Sequence, residues 1–309
     1  MALLSGWVRH AAFYLGRWAL LLATVASPAL AQSNGQTAPV EGVEKGMFVF
    51  SAWAGKPLNV FFVRPEKIDH KTMPVIVLHG ANRNADDYRD AWVQLARDNN
   101  LLIVAPEFNA VDYPRSHYIL GNMTSPSGKP QAKEQWVFSA IEALFDDSRA
   151  RFAIKRNDYS LFGHSGGAQV GHRFLFFVPD NRARRVVLAN AGWYTMPLIT
   201  TPFPHGLKDS GVTEEALAAA YAKRVVVLLG DRDTDANHRN LNRDRESMHQ
   251  GIHRFSRGHR FFAASSLQAL RQKSRFNWSL SIAPGVGHEQ DKMVIFAAPF
   301  LMSGPLEVH

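Results

Sequence analysis

The sequence predicts an α/β fold: a mostly parallel central sheet with helices on both faces and a small cap insertion. Two observations carry this. Short apolar runs at residues 74–78 (PVIVL), 101–105 (LLIVA), 185–189 (RVVLA) and 224–229 (RVVVLL) recur between helical stretches. A strand that is apolar at consecutive positions must be covered on both faces, as parallel strands are. Residues 158–167 (DYSLFGHSGG) then read as strand, tight turn and helix, the order in which a chain leaves a parallel strand and crosses back over the sheet.

The remaining elements follow in order. Residues 47–53 (MFVFSAW) and 58–63 (LNVFFV) flank Ala54-Gly55-Lys56-Pro57, which predicts an antiparallel hairpin at the sheet edge. Strand 74–78 runs into His79-Gly80-Ala81-Asn82. From Asn84 onward, Tyr88, Ala91, Trp92, Leu95 and Ala96 fall on one helical face, and Asn99-Asn100 supplies a left-handed stop. Residues 106–130 form a long loop rich in Pro, Gly and aromatics, a length that points to function. Residues 131–149 predict a helix with Val137, Ala140, Ile141, Leu144 and Phe145 inward. Segment 195–222 breaks the alternation: Pro197, Pro202 and Pro204 precede a short helix that starts at Thr213. As an insertion it is expected over the carboxyl edge of the strands, as a cap. After strand 224–229 come Gly230-Asp231-Arg232-Asp233-Thr234-Asp235 and a polar Arg- and His-rich segment, 236–258. A helix (258–273), a strand (277–283), the turn Pro284-Gly285-Val286-Gly287-His288 and a last helix (289–301) complete the pattern.

With 309 residues, 46% of them hydrophobic and 20% charged, the chain can bury a large core. The expected organisation is a signal peptide (1–31), a flexible lead-in (32–46) and a single domain (47–309). Arg9, His10 and Arg17 lead into an apolar run at 18–25, and Ala29-Leu30-Ala31 gives a small-x-small cleavage site before Gln32. This pattern predicts export, to the periplasm or beyond. The run is too short for a good membrane span, so none is expected after cleavage. Cysteine is absent, which excludes disulfides and a lipid-bearing cysteine at the cleavage site. The net charge of +8 becomes +6 without residues 1–31, which hold two arginines and no acid. No motif of a nucleic-acid reader accompanies that excess, so it reads as solubility. His249 and His253 have i,i+4 spacing but no third ligand in evidence, so no metal is expected.

The chemistry concentrates in Gly163-His164-Ser165-Gly166-Gly167. A serine on a sharp strand-to-helix turn is lifted clear of the sheet at a helix N-terminus, where backbone N–H groups favour negative charge, which makes Ser165 the candidate nucleophile. The motif alone also fits a glycine-rich turn with an exposed serine. An aspartate cluster and His288 follow at later strand ends, in the chain order Ser, Asp, His. A neutral serine needs a base to take its proton, and that base needs a carboxylate to fix its tautomer. His288 equally fits a structural histidine. Asp231, directly after Gly230, is expected to cap its own turn. The backbone N–H groups of Ala81 and Gly166 are the candidate oxyanion hole, although His79 at that strand end fits a simple cap as well. His79, His164, Tyr113, Tyr118, Met123 and Trp193 are candidates for lining a substrate cleft.

Together, HGANRNADDY, GHSGG, GDRDTD and PGVGH resemble the α/β-hydrolase superfamily over residues 47–303. Within it they look like exported bacterial esterases related to polyhydroxybutyrate depolymerases and feruloyl esterases. The resemblance implies hydrolysis of a small-molecule or polymeric carboxylic ester through an acyl-enzyme, without cofactor. The spacing Gly230-x-x-Asp233 matches the superfamily's acid position and implies Asp233, with Asp235 as runner-up. Peptidase or amidase action on the same triad is one alternative, and a non-catalytic binding protein on the same fold is another. The missing disulfides and the segment 236–258 depart from many of these esterases.

Overall fold

Strands β1 (Val43–Phe50), β2 (Leu58–Pro65), β3 (Met73–Leu78), β4 (Leu101–Glu107), β5 (Tyr159–His164), β6 (Ala183–Ala189), β7 (Arg224–Gly230) and β8 (Trp278–Ala283) form one sheet. Their order is β1-β2-β4-β3-β5-β6-β7-β8. The two hairpin strands are antiparallel to each other and β2 to β4, and every later pairing is parallel. The structure is a computed structural model that describes residues 41–125 and 127–302. The expected signal peptide and residues 32–40 of the lead-in lie outside the described residues.

The helices are α1 (Ala85–Asp90), α2 (Val93–Asn99), α3 (Arg115–Ile119), α4 (Val137–Arg151), α5 (Gly166–Phe177), α6 (Glu214–Ala222), α7 (Arg245–Gln250), α8 (Arg254–Arg271) and α9 (Gln290–Leu301). Side chains alternate along each strand, so an all-apolar strand feeds two cores at once. In β3, Val75 and Val77 enter the core under α1, α2 and α9, while Ile76 and Leu78 enter the core under α4, α5, α6 and α8. All four are at most 1% exposed, and burying each stabilises the fold by roughly 1.5–3 kcal/mol. Because β3, β5, β6, β7 and β8 are parallel, the loops that follow His79, Ser165, Asp233 and His288 open at one edge of the sheet.

Several boundaries differ from expectation. The first strand begins at Val43, inside the expected lead-in, because Val43 through Gly46 pair in register with β2 although their outward face is polar. Glu44 pairs with Arg64 across the strands and Lys45 reaches Asp90. The single helix expected from Asn84 is two, α1 and α2. The Trp92 N–H bonds back to Arg89 O (3.1 Å), and the Trp92 ring is buried edge-on against Phe162. The helix expected from 131 starts at Val137, since Trp136 is extended and its indole N–H bonds Gln131 O. By contrast α8 begins four residues early: His253 Nδ1 accepts the Ser256 N–H, and the Ser256 hydroxyl reaches back to the His253 N–H, a reciprocal cap. His253 is thereby a capping residue, and His249 instead faces Glu246.

The segment 195–222, expected as a cap, divides into a loop and a helix. Its loop lies against α5, where the buried Arg173 donates to Thr195 Oγ1 (2.8 Å) as well as to the Ile119 and Gln169 carbonyls. Next, α6 is an ordinary crossover between β6 and β7, with Leu217, Ala220 and Tyr221 in the core. A buried guanidinium needs acceptors, and the proline-broken loop supplies one of them, Thr195 Oγ1, whose hydroxyl in turn donates to Pro204 O.

Candidate active site

Ser165 sits between β5 and α5 with φ 55° and ψ −114°, a sparsely populated conformation that costs about 1–3 kcal/mol. The surrounding packing imposes it. A Cβ on Gly167 would lie 2.0 Å from Leu78 O, and one on Gly163 would lie 2.4 Å from Gly167 O. Only glycine at both places lets α5 approach β3 and β5 this closely. The Ser165 N–H is held by Ala189 O at 2.9 Å.

From Ser165 a hydrogen-bonded chain runs to the far side of the sheet edge. Ser165 Oγ is 3.0 Å from His288 Nε2, and His288 Nδ1 is 2.7 Å from Asp233 Oδ2. Asp233 is 3% exposed, and its other oxygen, Oδ1, receives Arg254 Nη1 at 3.3 Å. Burial works to raise the Asp233 carboxyl. The bond to His288 and its charge, with the Arg254 charge behind them, outweigh burial and hold it below the ordinary aspartate value. Asp235 is exposed and accepts the Asn237 N–H, so it serves a turn away from His288. Asp231 does not cap its own turn: Oδ1 crosses to the Gly285 N–H (2.7 Å) and braces the loop that carries His288.

On the other side of Ser165, the loop after β3 brings Ala81 beside α5. A Cβ on Gly166 would stand 3.6 Å from the Ala81 nitrogen, so the two candidate oxyanion donors share one wall. Tyr88 braces this loop. Its hydroxyl packs on Gly80, where a Cβ would stand 2.7 Å from it, and lies 2.9 Å from His164 Nδ1. His164 is buried beneath the site with its ring 4.7 Å from that of His288. Burial first, then the charges of His288 and Arg254, push its basicity well below that of a free histidine.

The cleft over Ser165 has a volume of about 490 Å³ and is walled by Gly80, Ala81, Tyr88, His238, Arg239 and His288, among others. A small recess beside it reaches Arg115, Tyr118, Gln169 and Gly192. His238, Arg239 and Asn240 come from the Arg- and His-rich segment.

Among solved structures, the chain is 41% identical to poly(aspartic acid) hydrolase-1 from Sphingomonas sp. KT-1, with a TM-score of 0.81, covering 83% of this chain and 98% of that one. The chain belongs to the α/β-hydrolase superfamily. This α/β-hydrolase is also 30% identical to LpqC, the poly(3-hydroxybutyrate) depolymerase of Bordetella parapertussis (TM-score 0.77, 85% and 93% covered). It shares the fold with the S-formylglutathione hydrolase FrmB of Staphylococcus aureus at 14% identity (TM-score 0.54, 84% and 97% covered). No family model and no curated protein matches the chain.

Several cleft candidates in this α/β-hydrolase lie elsewhere. His79 is fully buried: Nε2 accepts the Phe108 N–H (3.0 Å) and Nδ1 lies 2.9 Å from Gly80 O, so both ring nitrogens are spent on the loop. Burial lowers its pKa from 6.5 to about 3. Tyr113 is turned to a separate pocket, its hydroxyl accepting the Lys56 N–H. Met123 packs against the core. Trp193 lines a neighbouring groove with Arg115, Ile119 and Leu241, over Arg173. Tyr118 borders the small recess, although its hydroxyl is committed to His79 O, and His164 is beneath the site rather than in it. The sequence reading missed Tyr88, His238 and Arg254. Its one signal for the last two was the unusual composition of 236–258.

Proposed function

We propose that the chain is a serine hydrolase that cleaves carboxylic esters through an acyl-enzyme. Ser165 Oγ attacks the carbonyl carbon while His288 Nε2 takes its proton. Asp233 holds the Nδ1–H and the imidazolium that forms, and the Ala81 and Gly166 N–H groups donate to the oxyanion. The leaving group departs with the proton from His288, and water, deprotonated by the same imidazole, releases the acid.

The observation that supports this best is the bonded sequence Ser165–His288–Asp233, with spacings of 3.0 and 2.7 Å, on a strained turn. A non-catalytic binding protein has no use for that combination. A fluorophosphonate probe is expected to label the protein and not Ser165→Ala, which should lose on the order of 10⁶-fold in turnover of a p-nitrophenyl ester. Equal labelling of both proteins would sink the proposal.

The identity to a poly(aspartic acid) hydrolase favours a second reading, an amide-linked polyanion. Arg239 and His238 on the cleft wall and Arg115 in the recess suit negative charge. Size-exclusion analysis of poly(aspartic acid) and poly(3-hydroxybutyrate) after incubation separates the readings by which polymer shortens. Export belongs to the proposal as well, on the Ala29-Leu30-Ala31 pattern. Mass spectrometry of the secreted or periplasmic protein should find Gln32 at its N-terminus, and an intact Met1 form would refute it.

A further inference from the structure

The Arg- and His-rich segment has a chemical consequence at His238. Its Nδ1 receives two donors, Arg254 Nη2 at 3.0 Å and the Asn240 N–H at 3.2 Å. Neither can act as an acceptor, since a guanidinium carries only N–H groups and stays protonated. Nδ1 must therefore hold the lone pair, the ring is neutral, and its proton is on Nε2, at the opposite edge of the imidazole. Arg254 is itself 1% exposed, and its Nη1 is on Asp233 Oδ1. One buried guanidinium thus fixes the acid behind His288 and the tautomer of a histidine in the cleft wall.

His238 lines the cleft and stands edge-on to His288, with ring centres 5.4 Å apart at 65°. A leaving group takes its proton from His288 Nε2, so the departing portion of the substrate lies along that imidazole and His238 borders its path. Arg239, on the same wall, adds positive charge. We propose that His238 is a substrate-binding residue whose fixed Nε2–H donates to a carboxylate on the leaving-group side of the substrate. The proposal rests on the roles given above to Ser165 and His288. Burial, then the charges of Arg254 and His288, lower the basicity of His238 and keep it neutral.

Two acetate esters test this, 4-acetoxybenzoate and 4-methylphenyl acetate, which share the acyl group and differ by a carboxylate on the leaving group. His238→Phe is expected to lower the ratio of their kcat/KM values (anionic over neutral) about tenfold. His238→Gln, whose amide can accept from Arg254 and donate to the cleft, should restore most of it. An unchanged ratio, or an equal loss on both esters, overturns the proposal, the second because it marks a role confined to holding Arg254. Ser165→Ala is run in parallel: if it keeps wild-type turnover, the reaction itself has been misread. Long-range ¹H–¹⁵N correlation of the wild-type imidazoles gives an answer independent of turnover and of variant folding. The Nε2–H tautomer of His238, shifted by added 4-hydroxybenzoate, supports the proposal, and an Nδ1–H tautomer defeats it.

Discussion

On the β3–β5 side the site is made of backbone, and on the β7–β8 side it is made of side chains. Gly80, Ala81, Ser165 and Gly166 are placed by strand ends, by the contact of α5 with Leu78 O, by the Ser165 N–H tied to Ala189 O and by the Tyr88 hydroxyl packed on Gly80. Asp233, Arg254, His238 and His288 meet through bonds between side chains that are 16 to 55 residues apart. At Gly163 and Gly167 the first half tolerates no added Cβ, whereas the second depends on which charges and tautomers stay paired. Substitutions at those glycines and in the side-chain half should therefore fail differently, in folding on one side and in rate on the other.

After the loss of Ser165 itself, the largest effect is expected from the side-chain half. Asp233→Asn should keep the fold and lose turnover on the order of 10⁴-fold, because an asparagine leaves His288 in the wrong tautomer. Asp235→Asn, altering only an exposed turn, should stay near wild type. Near-normal turnover of Asp233→Asn on a p-nitrophenyl ester would remove the acid from the proposed mechanism. In the backbone half, Gly167→Ala forces a methyl to 2.0 Å from Leu78 O and should cost about 3 kcal/mol in urea unfolding. A variant as stable as wild type would show that the elbow has slack.

Acid should strike the backbone half through stability. His79 titrates at 6.5 when free and at about 3 when buried. Between those values the unfolded chain binds a proton that the folded chain refuses. The stabilisation is complete above pH 6.5 and falls on acidification by roughly 1.4 kcal/mol per pH unit. His164 and His172, buried neutral as well, act in the same direction. Urea titrations at pH 7, 6 and 5 read the slope, which should lessen by one proton in His79→Asn; an unaltered slope would contradict a neutral buried His79. The smallest effect is that of Arg254→Met, about tenfold in kcat through loss of one charged hydrogen bond to Asp233. Measured beside Asp233→Asn, it shows whether the guanidinium acts through the acid: the double variant should be no worse than Asp233→Asn alone.

How much of this was legible in the sequence follows from the same division. The elbow is a local event, five consecutive residues whose glycines mark a close approach, and it was readable as such. The order of strands was readable too, because a strand buried on both faces cannot hide its apolar run. A ring's direction is another matter. His79 and His288 both stand just past parallel strands next to glycine, and nothing local distinguishes the one that faces Phe108 N from the one that faces Ser165. Arg254 lies 21 residues beyond Asp233 on a helix whose start depends on a histidine cap, so its contact is purely tertiary. Asp231 was misjudged for the same reason, since the Gly285 N–H that it holds belongs to a different strand end.

The strand that delivers His288 is the last of the sheet and has a neighbour on one side only. Ser279 through Ile282 are partly or fully exposed although the whole strand pairs with β7, and the buried side chains are those at its ends, with Trp278 bonded to Ala220 O. Such an edge can open as a unit of its own at a lower free energy than the central strands. The proposed base would leave with it while Ser165, on β5, stayed in place. Enzymatic competence is then the property of a marginal subunit of the fold. Across a urea titration, hydrolysis should vanish before the far-ultraviolet circular dichroism of the remaining strands and helices changes, and fluorophosphonate labelling should follow the hydrolysis curve.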